Sequence, residues 1–312
     1  MKAIAALLVP FALCWASGAA AIEVEPIKVT ARVYYVQGKA GVASAENEGF
    51  NSNAGFVVTD DGVVVVDALG TPPLGEALVR AIRAVTPRPI RRVIVTHYHA
   101  DHFYGLKALK DAGADVWAHR ASLEYFESGE GQRRLEQRSR DLFPWVSEKT
   151  ELVRADHWLE RDESFTLGGL RFEVNHMGPA HSPEDLIVVV PSEGVIFSGD
   201  ILFAGRIPFV GEADSKRWLE RIDTLLALKP VLMVTGHGQL SRDPQKDLAL
   251  TRDYLRYLRE SMGRAVEGLV PFDEAYAKVD WSRFSNVPAF DAANRINAFG
   301  TYLLMERELL KR

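Results

Sequence analysis

The sequence predicts a layered α/β fold, with β-sheets covered by helices and a helical C-terminal extension. Three observations carry this prediction. Short runs rich in β-branched residues recur between amphipathic helical stretches, turn residues separate them, and strand signals stop near residue 240.

The elements follow in order. "KVTARVYYVQG", from Lys28 to Gly38, alternates apolar and polar residues as a strand does. "NAGFVVTDDGVVVVDALG" reads as two strands joined by the Asp60-Asp61-Gly62 turn. Thr71 caps a helix with Pro72 in its first turn, and Leu74, Leu78, Ile82 and Val85 form its apolar stripe. Val93, Ile94 and Val95 make a short buried strand, and a helix is expected from about His102 to Ala112, ending at Gly113. "ADVWAH" is the next strand. Residues 121–163 are polar, predicted mostly helical, and read as a solvated face. "FTLGGLRFEV", "DLIVVVP" and "GVIFSGD" give three more strands. Asp214 to Leu228 is a helix presenting Trp218, Leu219, Ile222, Leu225 and Leu226, and "PVLMVTGHG" is the last strand and loop. A long helix starts at Asp243-Pro244 with Leu248, Tyr254, Leu255 and Leu258 on one face, and the aromatic residues 270–303 lead into a closing helix.

The bulk composition narrows the function classes. The 312 residues are 47% hydrophobic and 25% charged, an ordinary globular balance. A net charge of -5 leaves no basic footprint for nucleic acid and none for an anionic membrane surface. The first 21 residues, "MKAIAALLVPFALCWASGAAA", have one lysine, an apolar run broken by Pro10, and a small-residue end. They predict a signal peptide at 1–21, and hence a periplasmic or secreted protein without stable membrane insertion after cleavage. Leu13 before Cys14 argues against lipidation. Cys14 is the only cysteine, so a mature chain would have neither disulfides nor thiolate ligands, and any metal is left to nitrogen and oxygen donors.

The chemistry concentrates in "THYHADHFYG", Thr96 to Gly105, which holds three of the eight histidines. Residues two apart on an extended chain point the same way, so His97 and His99 converge while Asp101 and His102 lie at the following bend. His181 in "GPAHSPEDL", Asp200 ending "GVIFSGD" and His237 ending "VLMVTGHG" all fall where a strand meets a loop, the usual edge for a site in layered α/β proteins. His119, His157 and His176 lack partners in the pattern and are read as structural.

"HYHADH", followed by "GPAHS", "FSGD" and "TGHG" in that order, resembles the metal motif of the metallo-β-lactamase superfamily. The resemblance covers residues 28–240 and implies a four-layer αββα sandwich, with a metallo-β-lactamase domain at 22–240 and the helical extension at 241–312 packed on it. It also implies a dinuclear centre: His97, His99 and His181 on one metal, Asp101, His102 and His237 on the other, and Asp200 bridging. Asp67, closing "VVVVD", matches the family's structural aspartate. Two zinc ions are the expected cofactors, with iron or manganese suited to the same donors. A metal-bridging hydroxide would attack the substrate, with Asp101 orienting it as the family's catalytic aspartate.

The substrate is less constrained. An aspartate at 200, where some lactamases carry a cysteine ligand, makes the motif similar to hydroxyacylglutathione hydrolases and to related exported zinc hydrolases, including those beside quinoprotein systems. The expected function is therefore an exported metallo-hydrolase cleaving an acyl bond, thioester or ester, in a small molecule. β-Lactam hydrolysis is the alternative. Iron-dependent sulfur or oxygen chemistry and non-catalytic metal binding are further readings; some iron relatives carry a glutamate where His99 stands, and the complete ligand set argues for catalysis. "ILFAGRIPFVGEADSKRW" after Asp200 is a candidate substrate wall. There Arg206 would meet a carboxylate and Phe203 or Phe209 an acyl group, against the alternative of core phenylalanines and a solvent-facing charge. The C-terminal aromatics, Tyr276, Trp281, Phe284 and Phe290, are expected in the core, with a homodimer contact or a cover for the site as the alternatives.

Overall fold

Val63 to Val66 shows how the layers arise. Successive side chains of a strand leave opposite faces of its sheet. Val64 and Val66 enter the apolar layer between two sheets, and Val63 and Val65 enter the layer beneath the first set of helices. Both faces of the strand are thus buried, which explains an uninterrupted valine run. The computed structural model describes residues 22–211 and 213–311, so the expected signal peptide lies outside the described residues.

The first sheet runs in chain order: β1 (Ile27–Lys28), β2 (Val33–Val36), β3 (Ala54–Val58), β4 (Val63–Val66), β5 (Ile90–Ile94), β6 (Asp115–His119) and β7 (His157–Leu159). It is antiparallel as far as β4 and parallel beyond. The second sheet contains β8 (Glu163–Leu167), β9 (Leu170–His176), β10 (Leu186–Val190), β11 (Val195–Ala204) and β12 (Leu232–Gly238), with only the β11–β12 pair parallel. Phe172, Val188 and Phe197 meet Val57, Val64 and Ile94 between the sheets.

Helices α1 (Pro72–Val85), α2 (Ala100–Phe103), α3 (Leu106–Asp111), α4 (Leu123–Glu127) and α5 (Glu130–Asp141) cover the first sheet. Helices α6 (Ser215–Ala227), α7 (Pro244–Glu267), α8 (Phe272–Lys278) and α9 (Phe290–Leu310) cover the second. The four αββα layers are therefore present. Thr71 Oγ1 accepts the Leu74 amide, and Asp214 and Asp243 accept those of Arg217 and Lys246, so the expected helix starts are capped. Leu248, Leu255 and Leu258 of α7 share one apolar cluster with Trp218 and Ile222 of α6, and Phe284 is buried in the same cluster. No helix among the described residues is long and apolar enough to cross a membrane.

Four local readings need correction. The helix expected from His102 to Ala112 is two helices, α2 and α3, which part at Gly105, where a Cβ would lie 2.0 Å from the Ala68 carbonyl oxygen. Residues 142–156 are irregular rather than helical, and His157–Leu159 is an edge strand paired with β6. "FTLGGLRFEV" is a hairpin of two strands turning at Gly168-Gly169, both at positive φ. Asp200 lies inside β11 rather than at its end, because that strand runs on to Ala204.

Candidate metal centre

The sheet edges deliver the seven expected residues to one place. His97 and His99 lie on the extended segment after β5, and Asp101 and His102 occupy the first turn of α2. His181 comes from the loop between β9 and β10, Asp200 from β11, and His237 from β12. The β11–β12 register is irregular on both sides of Gly199, a bulge that turns Asp200 inward beside His237.

Two sets of donor atoms result, each within 4.8 Å of one another: His97, His99, His181 and Asp200 form one, and Asp101, His102 and His237 the other. Asp200 faces both. Its Oδ2 is 3.3 Å from His181 Nε2 and 3.3 Å from His237 Nε2, and its Oδ1 is 3.3 Å from His102 Nε2. His97 Nε2 stands 3.8 Å from Asp200 Oδ2. His97, His102, His181, Asp200 and His237 are buried, and His99 and Asp101 are partly exposed at the mouth.

Protonation states of the first donor set, His97, His99, His181 and Asp200, suit a cation. Burial, reinforced by the charges of His102 and His99, holds His97 well below its ordinary range. Burial and His181 push His99 down to about 3, and burial lowers His181 as well. These imidazoles are neutral at physiological pH, with lone pairs to offer. Burial would also lower His102, but the carboxylates of Asp200, Asp101 and Asp67 outweigh it and raise this group. Burial would raise Asp200, yet His237 and His102 hold it well below the usual carboxylate range. His97 Nε2, His102 Nε2 and Asp200 Oδ1 are buried and make no well-aligned hydrogen bond among the described residues. Orphaned polar atoms of this kind are costly, and a metal ion supplies the missing partner. The residues fit metal ions.

A supporting layer fixes the ligands. Asp67 accepts from the Thr96 amide at 2.7 Å and the Thr96 hydroxyl at 2.9 Å, and its Oδ2 lies 2.9 Å from His102 Nδ1. That is the structural tie expected of Asp67. His237 Nδ1 donates to the Asn51 carbonyl at 2.7 Å. Such contacts set ring orientation and tautomer. Sequence reasoning missed the rest of this layer. Asn51 Nδ2 donates to Asp101 Oδ2 at 3.1 Å, Ser52 Oγ donates to the Asp101 carbonyl, and Asn53 Nδ2 donates to the Thr235 and Gly238 carbonyls. Glu184 Oε1 accepts the Tyr98 amide, between the two histidines of the motif, at 3.1 Å. The only available signal was three consecutive polar residues at a strand entry, which usually mark a turn.

The expected wall after Asp200 divides three ways. Phe203 is buried and its ring stacks on His237 with centroids 5.0 Å apart, so it packs against the ligands. Arg206 is half-buried, and Phe209 is exposed. Of the histidines read as structural, His119 and His176 stack on each other at 3.6 Å, and His157 lies against Glu163. None of them belongs to either donor set.

Known proteins are similar to this chain in sequence and in fold. A linear primary-alkylsulfatase from Pseudomonas sp. is 25% identical over 260 residues, 72% of this chain and 49% of its own. A type 2 metallo-β-lactamase from Elizabethkingia meningoseptica is 25% identical over 197 residues, 60% of this chain and 69% of that one. The chain thus spans about half the length of the alkylsulfatase it matches. Among solved structures, a stereoselective inverting sec-alkylsulfatase from Pseudomonas sp. superposes with a TM-score of 0.69 at 19% identity, over 90% of this chain and 50% of that one. A metallo-β-lactamase from Pontibacter korlensis superposes with a TM-score of 0.60 at 21% identity, over 75% of this chain and 99% of that one. The family model described as metallo-beta-lactamase superfamily matches residues 47–237, more than half of the sequence, and on that match the chain belongs to the metallo-β-lactamase superfamily.

Proposed function

We propose that the protein is an exported hydrolase with two metal ions, zinc by default, that cleaves the acyl bond of a small-molecule thioester or ester. The observation that carries the reading is Asp200, whose carboxylate faces His181 on one side and His102 and His237 on the other, each at 3.3 Å. His97, His99 and His181 would hold one ion and Asp101, His102 and His237 the second, with Asp200 between them. When bound, such a pair supplies a nucleophile made from water at neutral pH and polarises the carbonyl under attack.

The chain's own residues do the remaining work. Asn51 holds Asp101 Oδ2, and the Asp101 carboxylate orients the attacking water. Asp67 and the Asn51 carbonyl keep His102 and His237 from rotating. Phe203 closes one wall and excludes solvent from His237. The small-residue end of residues 1–21 supports export to the periplasm or beyond.

Two other reactions have support of their own. The β-lactamase relative favours amide cleavage in β-lactams, and the alkylsulfatase relative favours sulfate esters. Metal analysis of the mature chain, followed by thioester, ester, cephalosporin and alkyl sulfate substrates, decides among the three. We expect two ions per chain and turnover of an acyl substrate, abolished by Asp200→Ala. A well-folded preparation free of metal would refute the centre, and turnover confined to cephalosporins or sulfate esters would refute the acyl reading.

A further inference from the structure

The helical extension reaches the loop that follows β11. That loop, residues 205–211, leaves the strand beside the donor cluster, where Phe203 pairs with His237 across β11 and β12 and stacks on its ring. Arg206 Nη1 donates to the Gly41 carbonyl at 3.1 Å. This joins the loop to the segment carrying Asn51, which touches both His237 and Asp101. The two segments form one rim. Beneath it the loop turns inward, with Ile207 and Val210 buried in the apolar cluster of α6 to α9 and Phe209 left exposed. One side chain of α9 holds it there. Asn297 is fully buried, its Oδ1 accepts the Val210 amide at 2.7 Å and the Gly211 amide at 3.4 Å, and its Nδ2 donates to the Pro208 carbonyl at 2.7 Å. Nδ2 also donates to the Tyr254 hydroxyl at 3.0 Å, and that hydroxyl donates to Asn294 Oδ1 at 2.8 Å.

A side-chain amide offers two donors and two acceptor sites, and Asn297 uses all four, three of them on the backbone of one loop. The loop meets this region twice more. The Ile207 amide donates to the Pro288 carbonyl at 2.9 Å, just before α9, and a Cβ at Gly300 of α9 would lie 1.8 Å from the Gly211 carbonyl oxygen. A loop outside the sheet keeps one shape only where its backbone groups find partners, and here α9 provides them. We propose that Asn297 is a positioning residue for the rim: it fixes residues 205–211 beside the donor cluster, so that the helical extension sets what the site admits. Tyr254 and Asn294 orient the Asn297 amide, and a buried polar network of this kind is rigid because every member is satisfied. The proposal rests on the dinuclear reading for what lies beneath the rim, and not on the acyl reaction.

The test uses the full mature chain loaded with zinc and compares wild type with Asn297→Ala, Asn297→Asp, Gly300→Ala and Asn294→Ala. Hydrogen exchange of the Ile207 amide, which is not bonded to Asn297, and trypsin cleavage after Arg206 both report the loop. Loss of a buried hydrogen-bond partner corresponds to about 10- to 100-fold, so both rates should rise at least ~10-fold in Asn297→Ala. Gly300→Ala pushes the loop from the other side and should do the same, which carries the test where Asn297→Ala does not fold. Asn297→Asp keeps the acceptor for Val210 and should lie between. Asn294→Ala weakens the network without touching the loop, so its melting temperature should fall while both rates stay within about twofold of wild type. Two thiols that bind zinc report the rim. The affinity ratio of 2-phenylethanethiol over 2-mercaptoethanol should fall ~10-fold in Asn297→Ala and Gly300→Ala at unchanged metal content, because a fixed wall is what buries the phenyl group. Loop rates within about twofold of wild type in both variants would overturn the proposal, as would equal acceleration in Asn294→Ala. A released loop with an unchanged thiol ratio would overturn it as well. Loop release in a chain that binds no zinc would uphold the clamp and refute the two-metal reading alone.

Discussion

Gly236 approaches Asp200 so closely that a Cβ at 236 would lie 1.9 Å from Asp200 Oδ1. The carbonyl carbon and oxygen of Gly199 lie 2.8 and 2.9 Å from the same point, so neither the carboxylate nor the neighbouring strand leaves room for a methyl group. The glycine of "TGHG" is thus a requirement of the metal centre, which follows from the parallel pairing of β11 and β12.

Gly236→Ala is expected to displace the Asp200 carboxylate and reduce the amount of metal bound relative to wild type. Overpacking of this kind costs about 1–3 kcal/mol, so the variant should fold with a lower melting temperature. Metal analysis beside circular dichroism checks this, and a variant with the metal content of wild type would contradict the geometry.

Asp67 serves two donors through one oxygen. Its Oδ2 meets both Thr96 Oγ1 and His102 Nδ1 at 2.9 Å, while Oδ1 takes the Thr96 amide at 2.7 Å. Asp67→Asn keeps the volume but replaces one acceptor with a donor. We expect metal affinity to fall by about 10- to 100-fold, the usual effect of losing such support. Competition with a chromophoric chelator measures it, and Asp67→Asn affinity equal to wild type would count against the tie.

These two residues differ in how far the sequence disclosed them. Asp67 was legible because it closes the run "VVVVD" and matches the structural aspartate of the family whose motif the sequence resembles. The seven donor residues were legible for the same reason, through motifs that resemble the family's and lie beside strand signals. Their supports were not, because Asn51 and Ser52 act through the tertiary approach of one loop to α2, which has no local pattern. Strand β7 was missed because three residues acquire strand geometry only by pairing with β6. Arg138 was read as part of a solvated face although its Nε is buried, because helical periodicity marks a polar face and not how deep each side chain sits.

Glu184 positions the first two histidines of the motif through the Tyr98 amide at 3.1 Å. Glu184→Ala would leave that buried N–H unpaired, at a cost of about 1–3 kcal/mol. Glu184→Gln retains an acceptor oxygen and should recover most of the loss. Chemical denaturation of the three proteins tests this, and equal destabilisation by Ala and Gln would mean that charge rather than acceptance matters.

His119 provides a pH prediction outside the metal centre. Burial, together with the charge of the stacked His176, pushes His119 down to about 4 from its ordinary 6.5, and its Nδ1 accepts the Ala121 amide at 3.2 Å. The folded state therefore prefers the neutral ring, and the unfolded chain binds the extra proton first. Its stability contribution is complete above about pH 6.5 and is lost as pH falls toward 4. Protonation would also turn Nδ1 into a donor and break the bond to Ala121. His119→Asn keeps a short acceptor but does not titrate, so melting temperatures of the two proteins should converge as pH drops through that window. Parallel curves from pH 7 to 4 would show that His119 is not protonated on unfolding.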